Sequence, residues 1–204
     1  SPPLVCGRKG ECIMCGRYSL FTNDDNREIL RILQEVSERR PNAAVKTGEV
    51  FPTNTAPILK LEQGIIRPDA AVWGFPNFAR KGVIINARSE TAAEKKLFRE
   101  SLFSRRCIVP STGFFEWSQD KAHQKYRFYL PESDILYMAG LYSVYNQEER
   151  FVILTTEGNA SIRDIHHRMP VVISPDHLRY WLGEPNVALQ ILSGSFPMLE
   201  REPA

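Results

Sequence analysis

The stretch 107–156, CIVPSTGFFEWSQDKAHQKYRFYLPESDILYMAGLYSVYNQEERFVILTT, decides the fold. It contains the segments Cys107–Pro110, Phe114–Trp117, Tyr126–Leu130, Leu136–Tyr142 and Phe151–Thr156, each short and rich in β-branched and aromatic residues. That pattern reads as successive strands. Upstream, Cys15–Thr22 alternates as a strand does. Ile58–Leu61 and Ile65–Trp73 read as two strands around the turn Gln63-Gly64, and Val83–Ala87 reads as a further short one. Val171–Ile173 reads as another. Helices punctuate this run. Asn23 or Asp24 can cap a helix with Ile29, Leu30, Leu33 and Val36 on one face, ended by Pro41-Asn42. Ser89 is expected to cap a second helix with Ala93, Leu97, Phe98 and Leu102 inward. Ser161–Ile165 suggests a helical turn, and Pro175 at N1 starts a helix through Leu182. The expected class is α+β: a single compact domain, β-rich, with a curved sheet or barrel-like core and three or four helices.

The chain has 204 residues, 43% of them hydrophobic and 25% charged, which suffices for one sizeable core. No stretch is long and apolar enough to span a bilayer, and residues 1–13 lack the apolar run of a signal peptide. A cytoplasmic, nucleoid-associated monomer with no membrane partner is expected. The net charge is only +2, so any nucleic-acid contact must be local rather than a broad basic field. Cys12-Ile13-Met14-Cys15 is a C-x-x-C without a second ligand pair. Adjacent His166 and His167 point in different directions on most backbones, so neither a metal nor any cofactor is expected. Cys107 opens an apolar strand and reads as core.

Residues 1–13 begin without Met. Arg8-Lys9-Gly10-Glu11 can be encoded by a purine-rich tract resembling a bacterial ribosome-binding site, two codons before that of Met14. The expected division is an untranslated leader or pro-segment over 1–13 and a domain over 14–204. Removal of Met14 would make Cys15 the N-terminus.

Five segments carry chemistry: Met14-Cys15-Gly16-Arg17-Tyr18, Trp73-Gly74-Phe75, Ile85-Asn86-Ala87-Arg88-Ser89-Glu90-Thr91, Gly113-Phe114-Phe115-Glu116-Trp117 and His166-His167-Arg168-Met169-Pro170. In this order, from Met14 to about Leu182, they closely resemble the SOS response-associated peptidase (SRAP) family. The resemblance implies a β-rich fold with a positively charged cleft. It also implies an N-terminal Cys that bonds to the ring-opened aldehyde of an abasic site in single-stranded DNA, leaving a thiazolidine that shields the lesion. It gives Glu116 a proton-transfer role in Schiff-base formation and makes His166 the functional histidine of His-x-Arg-Met-Pro, with His167 at the variable position. Pro52-Thr53-Asn54 matches a family turn near the site.

The residues themselves support that chemistry. A 1,2-aminothiol traps an aldehyde twice: the amine forms a Schiff base and the adjacent thiol closes a five-membered ring. Only an N-terminal Cys supplies both groups. An α-amine pKa of roughly 8 leaves a useful neutral fraction at cellular pH. His166 titrates near neutrality and can donate a proton to the sugar ring oxygen. Asn86 is expected to orient the Cys15 amine or carbonyl. Arg88, two residues on, shares its face and can clamp a phosphate, as can Arg17 beside Cys15. Trp73, with Phe75 and Pro52 as weaker candidates, could stack on or wedge between bases, and Asn54 of the Pro52-Thr53-Asn54 turn is a weaker DNA-contact candidate. The plainer readings are a packing histidine, surface salt bridges for the arginines and core aromatics. Two other functions remain open. An N-terminal-nucleophile peptidase or amidohydrolase would use the same Cys15 but have no need of Arg17, Arg88 or an exposed Trp73. A non-enzymatic single-strand binding module would not need Cys15.

Overall fold

The alternating segments of 107–156 do become strands, and they pair both with one another and with strands elsewhere in the chain. In the computed structural model, which describes residues 16–23 and 26–204, β1 (Tyr18–Leu20) precedes α1 (Arg27–Arg39) and β2 (Gly48–Val50). The hairpin β3 (Thr55–Glu62) and β4 (Ile65–Trp73) is followed by the two-residue strands β5 (Phe75–Pro76) and β6 (Val83–Ile84), then β7 (Asn86–Arg88) and α2 (Lys96–Ser104). Next come β8 (Arg106–Ser111), β9 (Gly113–Trp117), β10 (Lys125–Tyr129), β11 (Leu136–Tyr145), β12 (Glu148–Glu157) and β13 (Arg168–Pro170). The chain finishes with α3 (Leu178–Gly183), α4 (Pro185–Leu192) and β14 (Glu200–Pro203). The fold is one compact α+β domain.

Five strands close into a barrel. β11 pairs with both β12 and β8, β8 reaches β3 at Leu59 opposite Ile108, β3 pairs with β4, and β4 runs parallel to β12. Closure removes the exposed edges that invite aggregation. A second, antiparallel sheet has the order β14-β10-β9-β1-β2. Alternation along the barrel strands builds two cores. Ile58, Cys107, Val109, Met138, Phe151 and Ile153 join Tyr18, Phe114 and Phe128 of the second sheet in one cluster. Leu59, Ile108, Ala139, Leu141, Val152 and Leu154 pack instead with Phe98, Leu102 and Trp181 from the helices. Cys107 is fully buried as expected, and burial pushes its thiol pKa up.

β12 changes partners along its length. Its first half lies between β11, up to Gly140 opposite Ile153, and β4, at Phe151 opposite Trp73. Its second half lies between β7, from Ile153 opposite Asn86 to Thr155 opposite Arg88, and β13, where Thr155 faces Pro170. Val171 sits between the diverging strands, donating to the Leu154 carbonyl and accepting from the Ala139 amide.

Several boundaries differ from the sequence reading. The cap of α1 is Asn26, whose side-chain oxygen accepts from the Ile29 amide at 3.1 Å. Ser89 caps no helix: its amide donates to the Thr155 carbonyl at 2.8 Å, which keeps it in the β12 ladder and delays α2 until Lys96. The strand expected at Val171–Ile173 is Arg168–Pro170 instead. The expected Pro175–Leu182 helix is a 3-10 turn, Pro175–His177, running into α3. α4 and β14 were not anticipated. The segment 1–15 lies outside the described residues.

Gly74 makes the step from β4 into the β5–β6 hairpin. Its φ of +114° is one that L side chains rarely adopt, and a Cβ there would come within 2.7 Å of the Val83 side chain. We expect Gly74→Ala to cost at least about 2 kcal/mol from backbone strain and overpacking together. Urea unfolding midpoints check this; an unchanged midpoint would contradict the assigned turn.

Candidate active site

β1 and β9 place the first group of candidates. Tyr18 pairs with Phe114, and the Phe115 amide donates to the Arg17 carbonyl at 3.0 Å, so the register runs Gly16 toward Glu116. Glu116 is buried, on the strand face it shares with Phe114. The opposite face shows Trp117, half-buried, with the Arg17 guanidinium 5.1 Å from its ring and 4.3 Å from that of Phe51. Arg17 also pairs with Glu49 at 3.0 Å, and Glu49 binds Lys125 as well. Burial raises the Glu49 pKa, but these two cations outweigh it and hold the carboxyl below its usual range. Cys15, bonded to Gly16, lies outside the described residues.

β12 organises the second group. Asn86 and Arg88 are laid along it by the parallel β7 ladder, Asn86 half-buried and Arg88 exposed. Among the described residues, Arg88 makes no ion pair. His166 precedes β13 and is only 3% exposed. Its Nδ1 accepts from the Arg168 amide at 3.1 Å, which assigns the neutral ring's proton to Nε2, and that buried nitrogen has no partner among the described residues. Burial, and then the neighbouring His167, push the His166 pKa down to about 4, so the expectation of a group titrating near neutrality is corrected. The two adjacent rings do not diverge: they stack, with centroids 4.6 Å apart. Arg168 is gripped by Glu90 through two bonds of 2.6 and 2.8 Å and also donates to the Thr155 carbonyl at 2.9 Å.

One core cluster joins these elements. It contains Tyr18, Ile85, Phe114, Ile165 and Met169, residues next to or near Arg17, Asn86, Glu116, His166 and Arg168 in sequence. Trp73 ties it together: it is fully buried, lies 5.1 Å from the Tyr18 ring, stacks on Phe151, and donates through Nε1 to the Ile85 carbonyl. It therefore offers no face to a base. Phe75 is likewise buried, against Phe98 and Tyr145. The Pro52–Asn54 turn serves as a spacer: the Asn54 side-chain oxygen accepts from Phe51, while the Thr53 amide and Asn54 carbonyl bond Trp73. An aromatic not singled out in the sequence is Phe78, 83% exposed at the tip of the β5–β6 hairpin, with its ring 6.2 Å from that of Tyr145 and the exposed Arg80 and Lys81 close by in sequence. Its signal was the Asn77-Phe78-Ala79-Arg80-Lys81-Gly82 loop that runs, through β6, into Asn86.

Around the second half of β12 the fold places a buried imidazole, just before β13, and a guanidinium without an ion pair among the described residues, on β7. Residues 14–198 match the family described as SOS response associated peptidase (SRAP), and the chain belongs to that family. It is 35% identical over 196 residues to the abasic site processing protein YoqW of Bacillus subtilis, covering 85% of this chain and 82% of the relative. It is 30% identical over 180 residues to the abasic site processing protein YedK of Escherichia coli, covering 84% and 80%. A solved structure from Bacteroides thetaiotaomicron shares the fold, with a TM-score of 0.75 at 24% identity over 93% of this chain and 91% of that one. Among the described residues, no helix is long and apolar enough to cross a membrane.

The buried imidazole makes stability pH-dependent. The folded state keeps His166 neutral, whereas the unfolded chain takes up its proton below about 6.5. Stability is therefore lost as pH falls from about 6.5 to about 4, by up to roughly 3 kcal/mol. His166→Gln removes that term, so the parent's stability advantage over this variant should shrink across the window. Parallel stability–pH curves for the two proteins would show that His166 is not held neutral.

Proposed function

We propose that this chain processes abasic sites in single-stranded DNA by bonding to them through Cys15 once Met14 is removed. The observation that carries the proposal is the buried His166 Nε2–H, a donor without an acceptor among the described residues, on a barrel whose neighbouring strand β7 presents the unpaired Arg88. A buried donor of this kind costs stability unless a ligand completes it. Its proposed acceptor is the ring oxygen of the abasic sugar, and Arg88 takes an adjacent phosphate. Ring opening breaks the bond from the anomeric carbon to the ring oxygen and moves the anomeric hydroxyl proton to that oxygen, so a neutral imidazole suits the role: its Nε2–H steadies the ring oxygen as the bond breaks and no net proton passes to the protein. The Cys15 amine then adds to the aldehyde carbon. Glu116 assists loss of water from the carbinolamine, and the thiol adds across the resulting imine, its proton passing to nitrogen. One water leaves overall. If β-elimination overtakes thiol closure, the strand is cut, so a minor lyase activity belongs to the same chemistry.

Phe78 replaces Trp73 as the base-stacking residue in this reading, with Arg80 and Lys81 toward the backbone. Arg17, stacked on Phe51 and Trp117, is the candidate phosphate contact on the Cys15 side. A peptidase would have no use for an exposed Arg88 that makes no ion pair among the described residues. The protein is proposed to work as a monomer on DNA in the nucleoid.

Mixed with a single strand carrying one abasic site, the parent should give a heat-stable shifted band on a denaturing gel. Cys15→Ala should give none, and Cys15→Ser at most a labile imine that borohydride traps. His166→Ala should slow formation by about 10²-fold or more while reaching the same product. Phe78→Ser should weaken single-strand binding by the roughly 1–3 kcal/mol of one stacked base. A heat-stable band from Cys15→Ala would overturn the proposal.

A further inference from the structure

We propose that the hollow beside His166 is a second phosphate site built on Arg163, which holds the phosphodiester next to the one at Arg88. This rests on single-stranded DNA being the substrate. The hollow has a volume of about 350 Å³ and is lined by Arg88, Glu90, Glu157, Arg163, His167 and Arg168. It continues the active site: His167 stacks on His166, and Arg88 lies two residues beyond Asn86 on β7.

The charges in the hollow are unequally engaged. Glu90 is tied to Arg168 by two short bonds that neutralise both charges, leaving only the buried Arg168 Nε without a partner among the described residues. Arg88 is unpaired among the described residues. Arg163 is anchored through Nε to the Gly158 carbonyl at 3.1 Å, and its guanidinium meets Glu157 at 3.3 Å, with the two side chains 63% and 77% exposed. An ion pair so open to water is weak. A phosphate, which offers a guanidinium a better-matched pair of acceptors, can displace it. Glu157 then acts as a competitor for Arg163, and DNA binding requires that Glu157 swing aside.

This gives two effects of opposite sign, which a merely structural Arg163–Glu157 pair would not produce. The probe is a fluorescein-labelled oligothymidylate carrying one tetrahydrofuran abasic analogue, which has no aldehyde and so reports binding alone. Arg163→Gln should reduce the magnitude of the log–log salt slope by about 0.7 and weaken binding about fivefold at 0.1 M salt. Arg163→Lys should keep the slope, and Glu157→Gln should tighten binding. Arg67→Gln, which removes a charge from exposed β4, should match the parent. Equal slopes for parent and Arg163→Gln, or no tightening in Glu157→Gln, would overturn the second site while the parent still crosslinks a true abasic strand. Failure of the parent both to bind the probe and to crosslink that strand would overturn the underlying reading as well.

Discussion

The structure depends on one strand, β12, exchanging both of its neighbours partway along. Up to Ile153 it is a barrel strand, hydrogen-bonded to β11 on one edge and β4 on the other. Beyond that point the same edges carry β13 and β7. Backbone amides and carbonyls cannot be left unpaired in a core, so where the barrel strands diverge other chain must fill the ladder. Here the filling segments bear Asn86 and Arg88 on one side and Arg168 on the other. The Thr155 carbonyl accepts from both the Ser89 amide and the Arg168 guanidinium, fastening the two segments to each other.

From this splice follows the electrostatic character of the site. The backbone that carries Arg168 into β13 also presents its amide to His166 Nδ1, and burial around that ring keeps it neutral. The neighbouring charges are sorted: Arg168 is neutralised by Glu90 and Arg17 by Glu49, while Arg88 stays unpaired among the described residues. A net charge of +2 is therefore compatible with a locally cationic rim. The proposed contact with DNA would rest on a few placed guanidinium groups rather than on a broad field.

Strands were legible in the sequence because alternation in 107–156 reports burial directly, and the β3–β4 hairpin because Gln63-Gly64 announces its turn. The helix starts were less legible. Ser89 is a good cap by type, but the β12 ladder claims its amide, and no local pattern reveals a long-range pairing. Asn86, Glu116 and His166 stand in short local motifs, so the sequence alone could propose them as candidates. The protonation of His166 was not legible: its Nε2–H form is set by a single backbone amide, and its low pKa by packing. Aromatic burial was not legible, because composition does not distinguish a Trp that binds the core together, Trp73, from a Phe held out at a hairpin tip, Phe78. The buried Asp69, held by Arg40 and Lys60, likewise left no trace in the pattern of its strand.

The central claim is that Cys15 forms the bond to DNA through both its amine and its thiol. Intact mass spectrometry of the native protein after reaction with an abasic single strand, followed by fragmentation of the modified N-terminal peptide, tests it most directly. The expected adduct weighs the sum of the two partners less one water, with the DNA remnant on a Cys15 that has become the first residue and whose thiol no longer reacts with alkylating agents. A modification on a lysine, or an N-terminus that still carries Met14 on a protein that crosslinks, would contradict it.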